Sequence, residues 1–180
     1  MLWFVRNITT NLLWRIEMLK YTVVASLLAT SAIAADTTIT GTVQSKCGVY
    51  TDIQGVYAQP TPDVLTTDPA NGGVKPIIRY DVAQADYYTA KITWPNSFSS
   101  SPALNDVVNW SGEVTVSQVT DPLMSDYETN KLEYNNVTEF DLSVAGTVWF
   151  EVTSTATYGY DRSLPAGTYT SLVIAECIAN

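Results

Sequence analysis

The chain contains no histidine. That absence removes Ser-His-Asp and Cys-His nucleophilic sites, imidazole zinc sites and the commonest proton shuttle at neutral pH. Catalysis would have to rest on carboxylates, Lys or Tyr, and no catalytic constellation of such residues is legible in the spacing. Basic residues are also few, nine Lys and Arg against eighteen Asp and Glu. The six beyond the first 34 residues (Lys46, Lys75, Arg79, Lys91, Lys131, Arg162) are scattered, which excludes the clustered phosphate contacts of a nucleic-acid partner. No stretch of helical period reaches a dozen residues, and no apolar run is long enough to span a bilayer, which takes roughly 20 residues.

What is present begins with a leader. Lys20 precedes the apolar run Tyr21–Ser31, and Ala32-Ile33-Ala34 supplies a small-residue cleavage site. This order of charge, short apolar core and A-x-A marks residues 1–34 as a signal peptide, with Met18 the expected true start. The exported portion is 35–180, the size of one domain. It is expected to be secreted, periplasmic or at the cell surface, with no membrane span once the leader is removed. Its dispersed acidic residues fit a solvated surface.

Two cysteines stand near the ends of this domain, Cys47 and Cys177. In an oxidising exterior their simplest state is one disulfide, worth about 4–5 kcal/mol in the chain-entropy model for so long a loop. In a reducing cytosol they would instead be two buried thiols.

Hydrophobic periodicity is two. In Thr37–Cys47, Ile39, Gly41, Val43 and Cys47 share one face while Thr38, Thr40, Thr42, Gln44 and Lys46 share the other, which predicts buried Ile39 and Val43 beside exposed threonines. Similar alternation occurs over 88–94, 112–119, 139–144, 147–153 and 169–177. Lys75–Tyr80 reads as an edge strand because Pro76 cannot donate to a ladder. Turn residues in 68–73, 94–102, 145–146 and 164–167 separate these segments, and short helical turns are expected near 83–87 or 103–107. Residues 48–74 read as a long irregular surface loop. Seven or more short antiparallel strands predict an all-β, immunoglobulin-like sandwich with Greek-key connections.

Two groups of residues carry a resemblance. Cys47-Gly-Val-Tyr50 is followed by Gly55-Val-Tyr57 and Pro60-Thr-Pro62, and Leu164-Pro-Ala-Gly-Thr-Tyr-Thr170 precedes the last strand. The pairing resembles the spore-coat-U-like and archaic chaperone–usher pilin subunits. The resemblance implies a secreted immunoglobulin-like sandwich and, in the polymer-forming members, an N-terminal extension that completes a neighbour's sandwich by β-augmentation. In this chain Ala35–Lys46 precede Cys47, enough for one strand. If the disulfide forms, that strand is expected to pair within its own chain, giving a self-complemented monomer or weak oligomer.

Several side chains are candidates for sites. Tyr87, Tyr88, Tyr158 and Tyr160 are candidate stacking residues for a cell-surface glycan, with Asp86, Gly159 and Asp161 beside them suggesting loops. Trp94, Trp110 and Trp149 fit a strand core as well as a stacking face. Asp121, Asp126 and Glu128 form an acidic, turn-rich segment without a D-x-[DN]-x-[DN]-G loop, so no metal site and no cofactor is assigned. Asn109-Trp-Ser111 and Asn136-Val-Thr138 match the N-glycosylation pattern. The expected function is a non-enzymatic exported structural or adhesion subunit whose partners are other protein subunits or a glycan. A secreted carbohydrate-binding module and a structural or decoration protein of a bacterial virus are the alternatives.

Overall fold

A computed structural model describes residues 38, 40, 46–160 and 162–180. The leader 1–34 lies outside the described residues, and so do Ile39, Val43 and the rest of the alternating segment expected over 37–47 apart from Thr38, Thr40, Lys46 and Cys47; Thr38 and Thr40 are exposed.

The described residues form ten strands: β1 (Cys47–Ile53), β2 (Ala58–Thr61), β3 (Val64–Thr66), β4 (Ile77–Val82), β5 (Tyr88–Thr93), β6 (Val108–Val119), β7 (Leu132–Tyr134), β8 (Val137–Asp141), β9 (Gly146–Tyr158) and β10 (Ile174–Ala179). They make two antiparallel sheets packed face to face, the all-β sandwich that the period-two pattern predicts. In the first sheet β9 is the spine. One of its sides pairs along its length with β6, while the other takes β4 at the start and β3 at the end. β1 lies outside β4, and β2 outside β3. The second sheet runs β10-β5-β8-β7.

Alternation decides what is inside. Ile78, Tyr80 and Val82 of β4, Tyr88, Ala90 and Ile92 of β5, and Val148, Phe150 and Val152 of β9 all point into one core, completed by Val114, Phe140 and Leu142. Tyr80 meets Phe150 edge-on with centroids 5.5 Å apart, the preferred geometry for aromatic quadrupoles. A smaller core at the far end gathers Leu65, Ala156, Tyr158 and Leu164 against Phe98, Trp110 and Tyr169. Trp94 packs so closely over Gly112 that a Cβ there would lie 2.6 Å from its ring.

Three local expectations are corrected. Residues 48–74 are not an irregular loop but carry β1, β2 and β3. β4 is an interior strand, between β1 and β9, because it starts one residue after Pro76. The proline therefore lacks no ladder donor, and its carbonyl accepts from the Val152 N–H at 3.1 Å. The short helical turns fall at Pro69–Asn71, Pro122–Asp126 and α1 (Tyr127–Asn130), not at 83–87 or 103–107. Asp68 and Asp121 nucleate the first two by accepting from the main chain of Ala70 and Leu123 ahead of a proline-led turn.

Candidate functional site: a cleft between two sheet edges

Among the described residues, β1 and β10 are the edge strands of the two sheets on the same side of the sandwich. A disulfide joins Cys47 to Cys177 with Cα atoms 6.3 Å apart, inside the range that such a bridge requires. From this staple the lips run in opposite directions along the chain, 49 upward on one side and 175 downward on the other. Between them lies a cleft of 960 Å³.

Main-chain polarity follows from strand alternation. The Ala83 N–H donates to the Lys46 carbonyl at 3.1 Å, so Lys46, Gly48 and Tyr50 form the hydrogen-bonded pairs with β4. Cys47, Val49 and Thr51 consequently turn their N–H and C=O groups toward the cleft. On the other lip the Asn180 N–H donates to the Tyr87 carbonyl at 3.0 Å. By the same rule Ala175 and Cys177 turn their main-chain groups to the cleft.

The floor changes character along its length. Near the disulfide it is apolar, with Val49, Ile78, Val173 and Ala175. At the far end it is polar: the Tyr57 hydroxyl lies 3.0 Å from Ser154 Oγ and 2.6 Å from Ser171 Oγ, linking the two lips. Ser154 is buried, and its N–H donates to Thr67 Oγ1 at 2.9 Å. From Ser171 to Cys177 the lip spans about 20 Å of extended chain, room for roughly six residues of an inserted strand.

The residues that carry the pilin-like resemblance converge on this cleft. Gly55, Val56 and Tyr57 from the first group, with Gly167, Tyr169 and Thr170 from the second, all line it. Gly167 is required because Pro102 occupies the space that a Cβ would take. Tyr169 is held by its hydroxyl donating to the Pro165 carbonyl at 2.7 Å, and its ring stands 5.0 Å from that of Phe98.

The four candidate stacking tyrosines do not make a face. Tyr88 is 6% exposed and Tyr158 4% exposed, each buried in a different core. Their strand registers turn them inward, whatever the polar residues beside them suggest. Tyr87 and Tyr160 are exposed, at 51% and 89%, but they belong to opposite ends of the sandwich. Tyr87 directly precedes β5, at the end where Val82 of β4 pairs with Gly146, whereas Tyr160 follows the other end of β9. The thirteen residues of β9 put about 40 Å between those ends.

The three tryptophans among the described residues have structural partners. Trp94 packs on the main core and Trp110 stands 4.7 Å from Phe98 in the smaller one. Trp149, on the outer face, donates from Nε1 to Asp52 at 2.8 Å. Arg79 beside it lies over the Tyr50 ring and within 3.5 Å of Asp52. The acidic segment has other partners too. Asp121 caps a turn, and Glu128 accepts from the Val116 N–H at 2.8 Å. Asn136 donates its amide to the Trp94 carbonyl at 2.7 Å, while Asn109 is exposed.

Among the described residues, no group of three or more Cys, Asp or Glu side chains is placed to hold a metal ion, and no helix is long and apolar enough to cross a membrane. Compared with protein-family models, with curated proteins and with solved structures, the chain matches none.

Proposed function

We propose that this chain is an exported, non-enzymatic structural subunit that joins its partners by accepting an extended segment into the cleft between β1 and β10. The observation that carries this reading is the pairing of two strand edges, each with main-chain groups facing the cleft, over an apolar floor. A strand laid there would hydrogen-bond to both lips, parallel to one and antiparallel to the other. Its alternate side chains would cover Val49, Ile78 and Val173. Buried main-chain groups need such partners, which is what makes an unfilled edge a binding surface.

The donor we infer is the segment 37–45 of a second copy. Ile39, Gly41 and Val43 offer small and apolar side chains at every second position, matching the floor, and the threonines between them would face solvent. Pairing within one chain would require a tight hairpin just before β1. Lys46 turns its main-chain groups to β4, so the hairpin would close at Cys47 and its turn would run through Gln44-Ser45-Lys46. None of the three is a Gly, Asn or Asp suited to the positive φ that such a turn takes. The resemblance to pilin subunits, the leader and the disulfide support the same reading, since disulfides persist in oxidising compartments.

The test is a pair of substitutions in the full chain. Val43→Asp should abolish self-association and leave the melting temperature unchanged, and Thr42→Asp should do neither. A Val43→Asp chain that associates like the wild type would refute the donor. A chain that instead loses several degrees of Tm would mean that the segment is built into its own sandwich.

A further inference from the structure

The opposite side of the sandwich also ends in edge strands, and there the longest strand edge among the described residues is closed by two side chains. β6 pairs with β9 alone among the described residues. Val152 and Ser154 of β9 direct their main-chain groups toward Pro76 and Thr67 on the far side. Their β6 partners, Val114 and Gly112, must therefore direct their own groups outward, and Val116 follows by alternation. Two of these outward groups are engaged. Lys131 Nζ donates to the Val114 carbonyl at 3.0 Å, and the Val116 N–H donates to Glu128 at 2.8 Å.

The two capping side chains hold each other. Lys131 Nζ is 2.7 Å from Glu128 and 3.0 Å from Glu133, and its side chain is only 13% exposed. Glu128 sits on α1 and Lys131 is the extended residue that ends it, so the two side chains, three positions apart, reach each other beside β6. A charged side chain on an edge is an ordinary deterrent to pairing. Here the deterrent is stronger, since the acceptor and the donor that an incoming strand needs are both already bonded to ions.

We propose that the β6 edge is a latent second self-association surface, and that Glu128 and Lys131 keep it shut so that the chain joins partners on one side only. The partner that the edge fits is β6 of a second copy, in two-fold antiparallel pairing centred on Val114. In that register Val114 faces Val114 and Gly112 faces Val116, all outward-bonding positions. Each Glu113 stands opposite Thr115, so no like charges meet across the strands. The outer face of the strand is polar, with Asn109, Ser111 and Glu113 exposed, which suits two sheets continuing side by side. This inference does not depend on what fills the cleft.

The experiment compares the full wild-type chain with Glu128→Ala/Lys131→Met, the methionine preserving the lysine's largely buried stem. In dilute solution the Val116 amide of the variant should exchange about tenfold faster than in the wild type, because its charged acceptor is gone. At rising concentration sedimentation should show added self-association over the wild type, and the Val116 amide should slow again. Adding Val116→Pro removes the outward donor and should return sedimentation to the wild-type pattern. Lys131→Met alone frees only the Val114 carbonyl and should give a weaker association of the same kind. A folded variant that associates no more than the wild type would overturn the proposal. So would added association during which the Val116 amide stays fast.

Discussion

Tyr57 and Ser171 face each other across the far end of the cleft, their hydroxyl oxygens 2.6 Å apart. The disulfide closes the near end, so the two lips are pinned at both extremities. The Tyr57 hydroxyl also bonds to buried Ser154, so one oxygen ties the lip to the other lip and to the floor. Tyr57→Phe should cost about 1–2 kcal/mol, because it strands the Ser154 hydroxyl in a dry site. Ser171→Ala, at a half-exposed position, should cost less. Denaturant unfolding at constant m-value measures both, and equal costs would mean that the Ser154 bond contributes nothing.

The disulfide joins the first described strand to the last across 130 residues. Its removal by Cys47→Ala/Cys177→Ala should lower stability by about 2–4 kcal/mol. Mass spectrometry of the native chain should show two hydrogens fewer than after reduction. Labelling of both thiols in the unreduced folded protein would contradict the bridge.

Burial separates the tyrosines that the sequence grouped together. Tyr158→Ala empties part of the smaller core and removes the hydroxyl that accepts from the Asn105 N–H at 3.1 Å. It should cost about 3–5 kcal/mol. Tyr160→Ala touches no core and should stay within about 0.5 kcal/mol. Thermal denaturation of the two variants distinguishes core from surface directly.

Alkaline pH should unfold the protein by a route set by three groups. Burial raises the Tyr80 phenol well above its usual range, with the Glu176 charge adding to the effect. Burial likewise raises Tyr127. For Lys131 burial acts downward, but its bonds to Glu128 and Glu133 outweigh it and leave the ammonium above the ordinary lysine value. In each case the proton is held more tightly in the folded state. The stabilisation is therefore complete below the unfolded values, near 10 for Tyr and 10.4 for Lys, and fades as pH climbs beyond them. Stability should thus be flat toward neutrality from these groups and fall above about pH 10. Tyr80→Phe should flatten part of that fall.

Strands with one buried face were legible because alternation is a direct consequence of the pleat. β5 ends one residue from where period two puts it, and β9 contains the expected 147–153 but runs on to Tyr158. β1 was hidden because it is a cleft lip, only half covered, and Tyr50–Ile53 are all exposed. The last strand starts at Ile174 rather than Tyr169, since 169–173 line the cleft instead of pairing in the β5–β10 ladder. Tyr88 and Tyr158 misled because Asp86 and Gly159 mark turns one or two residues away, where alternation can still place a side chain inside. The cleft itself joins residues more than a hundred positions apart, so spacing along the chain could not reveal it. Its only early signal was the pair of Tyr-containing motifs ending at Tyr57 and Thr170, which meet there. Glu128 and Lys131 looked like ordinary solvated charges because the edge they close belongs to β6, which comes earlier in the chain.

The most direct test of strand acceptance is residue-resolved amide exchange at Val49 and Ala175 as the full chain is taken from dilute to associated conditions. Their N–H groups face the cleft and gain partners only when a strand enters. Both should exchange quickly in the monomer and at least about tenfold more slowly in the assembly, with Val43→Asp keeping them fast throughout. Amides that stay fast in the assembly, or that are already protected in the monomer, would contradict the account.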